Sequence, residues 1–346
     1  MTIRSRDAGR APIRRSVLSM RGLCLASLAI PVWAAELQLA LPIVCRPEDR
    51  CSIQNYVDLK QGLGAQDFGC GVLTYDGHRG TDFQVRDLAR MRVGVPVVAA
   101  APGVVRSVRD AMPDTGKKAY DARGETDRAL GNAVAVEHGN GWTTFYGHLR
   151  SGSVKVGPGD RVATGQTLGE VGFSGDTEFP HLHFEVRKQG AVIDPFTGGG
   201  SGSTCGQTSG SLWEAAARAQ LPYTPTGTVC SGWSASAPNR SAVLEDCERP
   251  VVLSPSSLAI VAWMEFFGLQ KGDEIHVTLS GPEGSVLAET TAVIAKDRAR
   301  EFRYVGTKRP ASGWIPGAYE ARYTVTRNVL HERQAVVDRT EETHIK

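Results

Sequence analysis

No stretch of this 346-residue sequence reaches the roughly 20 uninterrupted apolar residues that a membrane-crossing helix requires. Stable membrane insertion is therefore not expected. After the first 34 residues no run of Lys and Arg occurs, so the basic face of a sequence-independent nucleic-acid binder is missing. C-x-x-C is absent as well, which argues against zinc-finger chemistry by the thiols. The last hundred residues carry neither a nucleophile pattern nor a metal-ligand pattern.

What is present begins with an export signal over residues 1–34. Arg4, Arg6, Arg10, Arg14, Arg15 and Arg21 precede the apolar run GLCLASLAIPV, and cleavage is expected after Ala34. "RRSVLS" lacks the Phe and Lys of a twin-arginine signal, which favours the general secretory route. Removing the signal takes away six arginines and Asp7, moving the formal charge from +2 to −3. A periplasmic or secreted location follows from this reading. Of seven cysteines, Cys24 leaves with the signal, and Cys45, Cys51, Cys70, Cys205, Cys230 and Cys247 remain. In an oxidising compartment an even number predicts three disulfides. The six fall into two groups of three on either side of residues 71–204, so complete pairing forces at least one bridge between the groups.

Residues 35–75 read as an irregular, cysteine-bearing lead-in. Residues 76–198 read as an all-β unit of short runs and Gly turns, with Asn-Gly in EHGNGW supplying the positive φ of a tight hairpin. The charged, aperiodic stretch Arg109–Leu130 is an inserted loop, either a solvated surface or a rim over a site. Residues 199–248 form a Gly/Ser linker with three cysteines and a short helix started by a capping box, Ser211 with Glu214. Residues 249–346 read as an immunoglobulin-like β-sandwich, since Tyr319, Ala321, Tyr323 and Val325 alternate with polar residues.

Four of the eight histidines stand in unusual settings. His181 and His183 lie two apart in FPHLHFEVR, so on a strand they share a face with Glu185 while Leu182, Phe184 and Val186 fill the other. His78 and Asp82 are four apart in a Gly-containing turn, and His148 ends a hairpin strand. A hydrolytic zinc site takes three His, Asp or Glu ligands and leaves a position for water. His78, Asp82 and one histidine of HLH meet that count, and the other histidine with His148 would act on the proton and the oxyanion. His138, at the hairpin turn, reads as structural. Glu185 is either an outer partner of a histidine or a solvated residue, and Arg79 is either a carboxylate binder or a plain surface arginine.

H-x-G-x-D at His78, Gly80 and Asp82, YGHL at Tyr146 to Leu149 and HLHFEV at His181 to Val186 resemble the lysostaphin/LytM-type zinc endopeptidases. VVAAAPGVV, EHGNGWTTFYGHL and VGPGDRVATGQTLGEVGFSG follow in that family's order. The resemblance covers about residues 76–196. It implies a LytM-like all-β domain that cuts peptide bonds of bacterial peptidoglycan, with Zn2+ held by His78, Asp82 and His183. His148 and His181 would then be the catalytic pair. The inserted loop, the cysteines and the sandwich lie outside the shared pattern. A catalytically inactive LytM-like scaffold that binds a cell-wall hydrolase is a rival reading, and a secreted protease for glycine-rich peptides is another. A lipoyl- or biotinyl-type carrier shares the Gly-Asp and Gly-Gln rhythm but needs a lysine at an exposed hairpin tip, which is missing.

Overall fold

Leu182, Phe184 and Val186 are fully buried, and burying them while His181, His183 and Glu185 face the other way requires a strand covered on both faces. The computed structural model describes residues 1, 2, 9, 36–124 and 127–346. Apart from residues 1, 2 and 9, the export signal expected over 1–34 lies outside the described residues. Among these, no helix is long and apolar enough to cross a membrane.

The first half of the fold contains strands β1 (Ser52–Asn55), β2 (Thr81–Gln84), β3 (Pro96–Val98), β4 (Gly103–Arg109), β5 (Asn132–Gly139), β6 (Trp142–Leu149), β7 (Arg161–Val162), β8 (Thr167–Glu170), β9 (His181–Lys188) and β10 (Ala191–Ile193). An antiparallel sheet runs β1-β2-β9-β6-β5-β4-β7, with β10 on β9, and β3 pairs with β8 beside it. Asn140 and Gly141, at φ 49° and 78°, make the two-residue turn between β5 and β6 that Asn-Gly predicts. His138 beside it is structural: its ring bonds the Pro102 carbonyl and Thr144 Oγ1, both at 2.8 Å.

The lead-in is less separate than its aperiodic sequence suggests. Leu39, Tyr56, Val57 and Leu59 are 0–2% exposed and join one continuous core with Phe184 and Trp213. The capping box at Ser211 does not form. Leu212 and Trp213 are buried, and Leu39 N–H bonds Leu212 O while Glu214 N–H bonds Leu39 O. That backbone pairing keeps residues 212–214 extended, so the only helical turn here, Ala215–Arg218, starts after Glu214. The insertion is likewise not a plain loop, since Gly116–Ala122 is helical.

Strands β11 (Gly227–Ser234), β12 (Ala259–Leu269), β13 (Glu274–Ser280), β14 (Val286–Val293), β15 (Arg298–Lys308), β16 (Gly317–Val329) and β17 (Glu332–Ile345) complete the chain. They form two sheets, β11-β12-β15 and β14-β13-β16-β17. Ile260, Ala262, Met264 and Phe266 of β12 meet Tyr319, Ala321, Tyr323 and Val325 of β16 in a core where each is at most 1% exposed. This is the immunoglobulin-like layering of two antiparallel sheets. The sandwich starts at Gly227 rather than at Arg249, because β11 pairs along β12 from Gly227↔Phe267 to Ser234↔Val261. On its other face β12 lends Trp263 and Phe267 to the core of the first half. Bridges join Cys45 to Cys51, Cys70 to Cys205 and Cys230 to Cys247, so one disulfide crosses between the two cysteine groups.

Asp194, just after β10, supplies a first prediction. Its Oδ1 accepts from Phe196 N at 3.0 Å and Thr197 N at 2.7 Å, while Oδ2 is buried without a partner. Burial pushes its carboxyl up to about 6. The folded state therefore binds the proton more tightly than the unfolded chain, so stability falls as pH rises from about 4 through 6. Asp194→Asn keeps an acceptor for the two N–H groups and removes the buried charge. It should stabilise the protein by up to roughly 3 kcal/mol at pH 8 and by little at pH 4. Thermal melts of both proteins at the two pH values check this, and an equal gain at both would contradict it.

Candidate metal centre

Three strands converge on one face of the sheet. Asp82 on β2 lies opposite His183 on β9, and Gly147 on β6 lies opposite His183 from the other side. His148 follows Gly147, so strict alternation would send it to the far face with Tyr146. Its backbone instead adopts φ 57°, and its ring packs 4.5 Å from that of His181, centroid to centroid. The left-handed residue thus turns the side chain onto the site. Gly80 is glycine because a Cβ there would lie 2.5 Å from His183 Nε2.

His78, Asp82, His148, His181 and His183 are brought together, each 2–6% exposed. Three imidazoles are backed in the same manner. Nδ1 of His78 bonds Tyr56 O at 2.6 Å, Nδ1 of His148 bonds Ser174 O at 2.8 Å, and Nδ1 of His181 bonds Phe179 O at 3.0 Å. Carbonyls only accept, so each ring carries a proton on Nδ1 and turns Nε2 toward the site. His78 Nε2 sits 3.2 Å from Asp82 Oδ2 and His181 Nε2 3.4 Å from Asp82 Oδ1. His183 differs, with Nδ1 2.9 Å from Asp82 Oδ1 and Nε2 3.6 Å from Glu185 Oε2.

Burial would raise the Asp82 carboxyl, but the charges of His78 and His181 and hydrogen bonds from His181 and His183 hold it well below the usual carboxylate range. For His183 burial opposes the imidazolium, yet the hydrogen bond to Asp82 and the nearby Glu185 carboxylate push it up to about 9. Burial, then the neighbouring His181 and His183, hold His148 well below the ordinary imidazole value, so it is neutral at pH 7. Anionic Glu185 is favoured despite burial by His183 and Arg187.

Two triads have donor atoms within 4.8 Å of one another: His78 with Asp82 and His183, and His148 with His181 and His183. The first fits a cation better. It alone contains a carboxylate, and it gathers two buried donors that have no hydrogen-bond partner, Nε2 of His78 and of His183. A metal-binding site of His, Asp and His is therefore present. Because His183 holds its proton up to about 9, metal uptake must release it, and affinity falls with falling pH.

Several supporting residues carry no signal in the sequence. Asn55 Nδ2 donates to Asp82 Oδ2 at 2.9 Å, Tyr56 offers the carbonyl behind His78, and Gly77 N–H bonds Asp58 Oδ2 at 3.0 Å. All come from the aperiodic lead-in. Glu185, left open between two roles, faces His183 and bonds Arg187; Arg79 lies 3.9 Å from it with a side chain 57% exposed. The insertion is stitched to the segment behind both His148 and His181. Asp114 accepts from Phe173 N at 2.8 Å and Lys117 N–H bonds Thr177 O at 2.7 Å. Its last residue, Leu130, accepts from His148 N at 2.7 Å.

Residues 76–195 match the family model described as Peptidase family M23. Peptidoglycan DD-endopeptidase ShyC of Vibrio cholerae is 36% identical over 120 residues, covering 35% of this chain and 22% of that protein. Murein hydrolase activator EnvC of Escherichia coli is 43% identical over 68 residues, covering 20% of this chain and 16% of that protein. Among solved structures, the catalytic domain of the prophage-encoded M23 protein EnpA from Enterococcus faecalis is 25% identical and covers 47% of this chain and 98% of that one, at a TM-score of 0.32. The chain spans less than a quarter of the length of the curated relatives it matches.

Proposed function

We propose, from the match of residues 76–195 to peptidase family M23, that this chain is an exported zinc endopeptidase that hydrolyses peptide bonds in peptidoglycan stem peptides or cross-links. The observation that carries the reading is the convergence of a buried His78–Asp82–His183 triad with two further imidazoles held by their Nδ1–H bonds with Nε2 toward the site. His78, Asp82 and His183 would hold the ion. Zinc bound there supplies Lewis acidity, lowering the pKa of a water and polarising the scissile carbonyl. His181 Nε2 takes the proton of the attacking water, and its Nδ1–H bond to Phe179 O stabilises the imidazolium so formed. The proton that His181 gains is shared with His148 beside it, so that the pair donates to the tetrahedral oxyanion and then gives the proton to the departing amine nitrogen as the C–N bond breaks. Asn55 and Tyr56 fix Asp82 and His78 from behind. The lead-in and the sandwich are accessory segments in this reading.

Digestion of purified sacculi with the zinc-loaded protein tests the proposal. Mass spectrometry should find new stem-peptide ends; intact sacculi after exposure to active-site-competent protein would overturn it. A second reading, an inactive scaffold that activates a hydrolase, has the likeness to EnvC and the near-closed site in its favour. It predicts no product ends without an added hydrolase, and release of glycine-only peptides would point to a protease for glycine-rich chains.

The insertion's contacts with residues 173–177 support reading it as a rim beside the substrate. Replacing residues 115–128 by a short Gly-rich turn, with Asp110 and Asp114 retained, should change the relative cleavage rates of different muropeptides severalfold and leave bound zinc intact. Unchanged rates on every substrate would make it a surface loop.

A further inference from the structure

We propose that Arg300, on strand β15 of the sandwich, is a positioning residue for His181, so that the sandwich sets the geometry of the site. The inference rests on the reading of His181 as a catalytic group. Arg300 leaves the sandwich and enters the first half of the fold with its side chain 9% exposed. Two of its attachments there end at His181. Its guanidinium lies 4.3 Å from the centroid of the Phe179 ring, and that ring packs 4.7 Å from the ring of His181. Phe179 also supplies the carbonyl that fixes the His181 tautomer. On the other side a terminal guanidinium nitrogen donates to Gln84 Oε1, and Gln84 is the cross-strand partner of His181.

Two further contacts hold the guanidinium in this position. Its other terminal nitrogen bonds Glu265 Oε2 and its Nε bonds Gln54 Oε1, each at 3.3 Å. Gln54 Nε2 in turn donates to Ala299 O at 2.8 Å, clasping the residue before Arg300. A planar five-donor group suits this task, since it stacks on an aromatic face and bonds several acceptors at once. Gln54 and Gln84 are 0% and 1% exposed, so the amides have no water to replace a lost partner. Losing Arg300 frees the Phe179 ring and carbonyl together, and His181 follows.

The test uses the full zinc-loaded chain with Arg300→Ala, Arg300→Lys, Phe179→Leu and Arg300→Ala/Phe179→Leu. On a cross-linked muropeptide dimer, Arg300→Ala should lower kcat by about tenfold to a hundredfold, the effect of small misplacement of a reacting group, with KM and zinc content unchanged. Arg300→Lys keeps the cation over the ring but drops the amide bonds, and should recover part of the loss. The double variant should be no worse than the poorer single one, because both act through one contact. Hydrogen exchange should quicken over residues 177–184 while β13 and β16 of the sandwich stay protected. A kcat within twofold of the parent overturns the proposal, as does exchange that quickens only in the sandwich. If Arg300→Ala does not fold, Phe179→Leu alone must show the kcat loss with zinc retained. If the parent itself turns nothing over, the proposed function fails, and the exchange comparison still decides whether Arg300 holds the His181 segment.

Discussion

Alanine at His183, Asp82 or His78 should empty the site of zinc, whereas alanine at His148 or His181 should leave zinc bound and abolish turnover. The reason lies in which atoms are already engaged. Asp82 sits within 3.4 Å of donor atoms on His78, His181 and His183, so its removal takes away both a ligand and the charge around which three imidazoles are arranged. A lost outer partner alone lowers affinity about ten- to a hundredfold, and a lost ligand should exceed that. In the proposed function His148 and His181 would act instead on the proton and the oxyanion, where loss of one group lowers the rate by about a hundredfold or more. The rival triad of His148, His181 and His183 predicts the opposite pattern, with Asp82→Ala retaining metal and His181→Ala losing it. Metal analysis of the five purified variants beside peptidoglycan turnover separates the two. If all five keep both zinc and activity, the enzyme reading is wrong.

The site was legible where side-chain direction is fixed by a regular strand. HLHFEV lies on β9 between β2 and β6, so its alternation of buried and site-facing residues is the alternation of its sequence. The alternating Tyr319 to Val325 of β16 was legible for the same reason. His148 shows the limit: its direction depends on a left-handed backbone that period-two reasoning would have misplaced, and only the YGHL resemblance pointed to it. Asn55 and Tyr56 were illegible because what they do depends on a tertiary pairing, β1 against β2, formed by a short strand with no periodic neighbours. Ser211 and Glu214 carried a sound local signal that lost to burial of Leu212 and Trp213, a case of tertiary packing overriding propensity. The start of the sandwich was missed because GTVCSGWS has two glycines and a cysteine where a strand usually carries β-branched residues.

The largest stability effect should come from the bridge between the two cysteine groups. Cys70–Cys205 closes a loop of 135 residues that contains the whole of the matched peptidase domain, whereas Cys45–Cys51 and Cys230–Cys247 close 6 and 17. In the chain-entropy account such a cross-link destabilises the unfolded chain by about 5 kcal/mol, against roughly 2 and 3 for the shorter two. Native contacts hold the same crossing without the sulfurs: Gly206 N–H bonds Phe68 O at 2.7 Å and Phe68 stacks on Phe196 at 4.3 Å. The folded state of Cys70→Ser/Cys205→Ser should therefore keep its shape and lose stability through the unfolded state. Its melting temperature should drop by about 10 °C or more, and by more than in either of the other two paired-serine variants. Because the lead-in that carries Asn55, Tyr56 and Asp58 is tied down beside this bridge, local opening should also become easier there, and zinc should be lost to a chelator faster than from the parent. Melts and chelator kinetics on the three paired variants check both statements. Equal or larger destabilisation by opening Cys230–Cys247 would show that loop length does not govern stability in this chain.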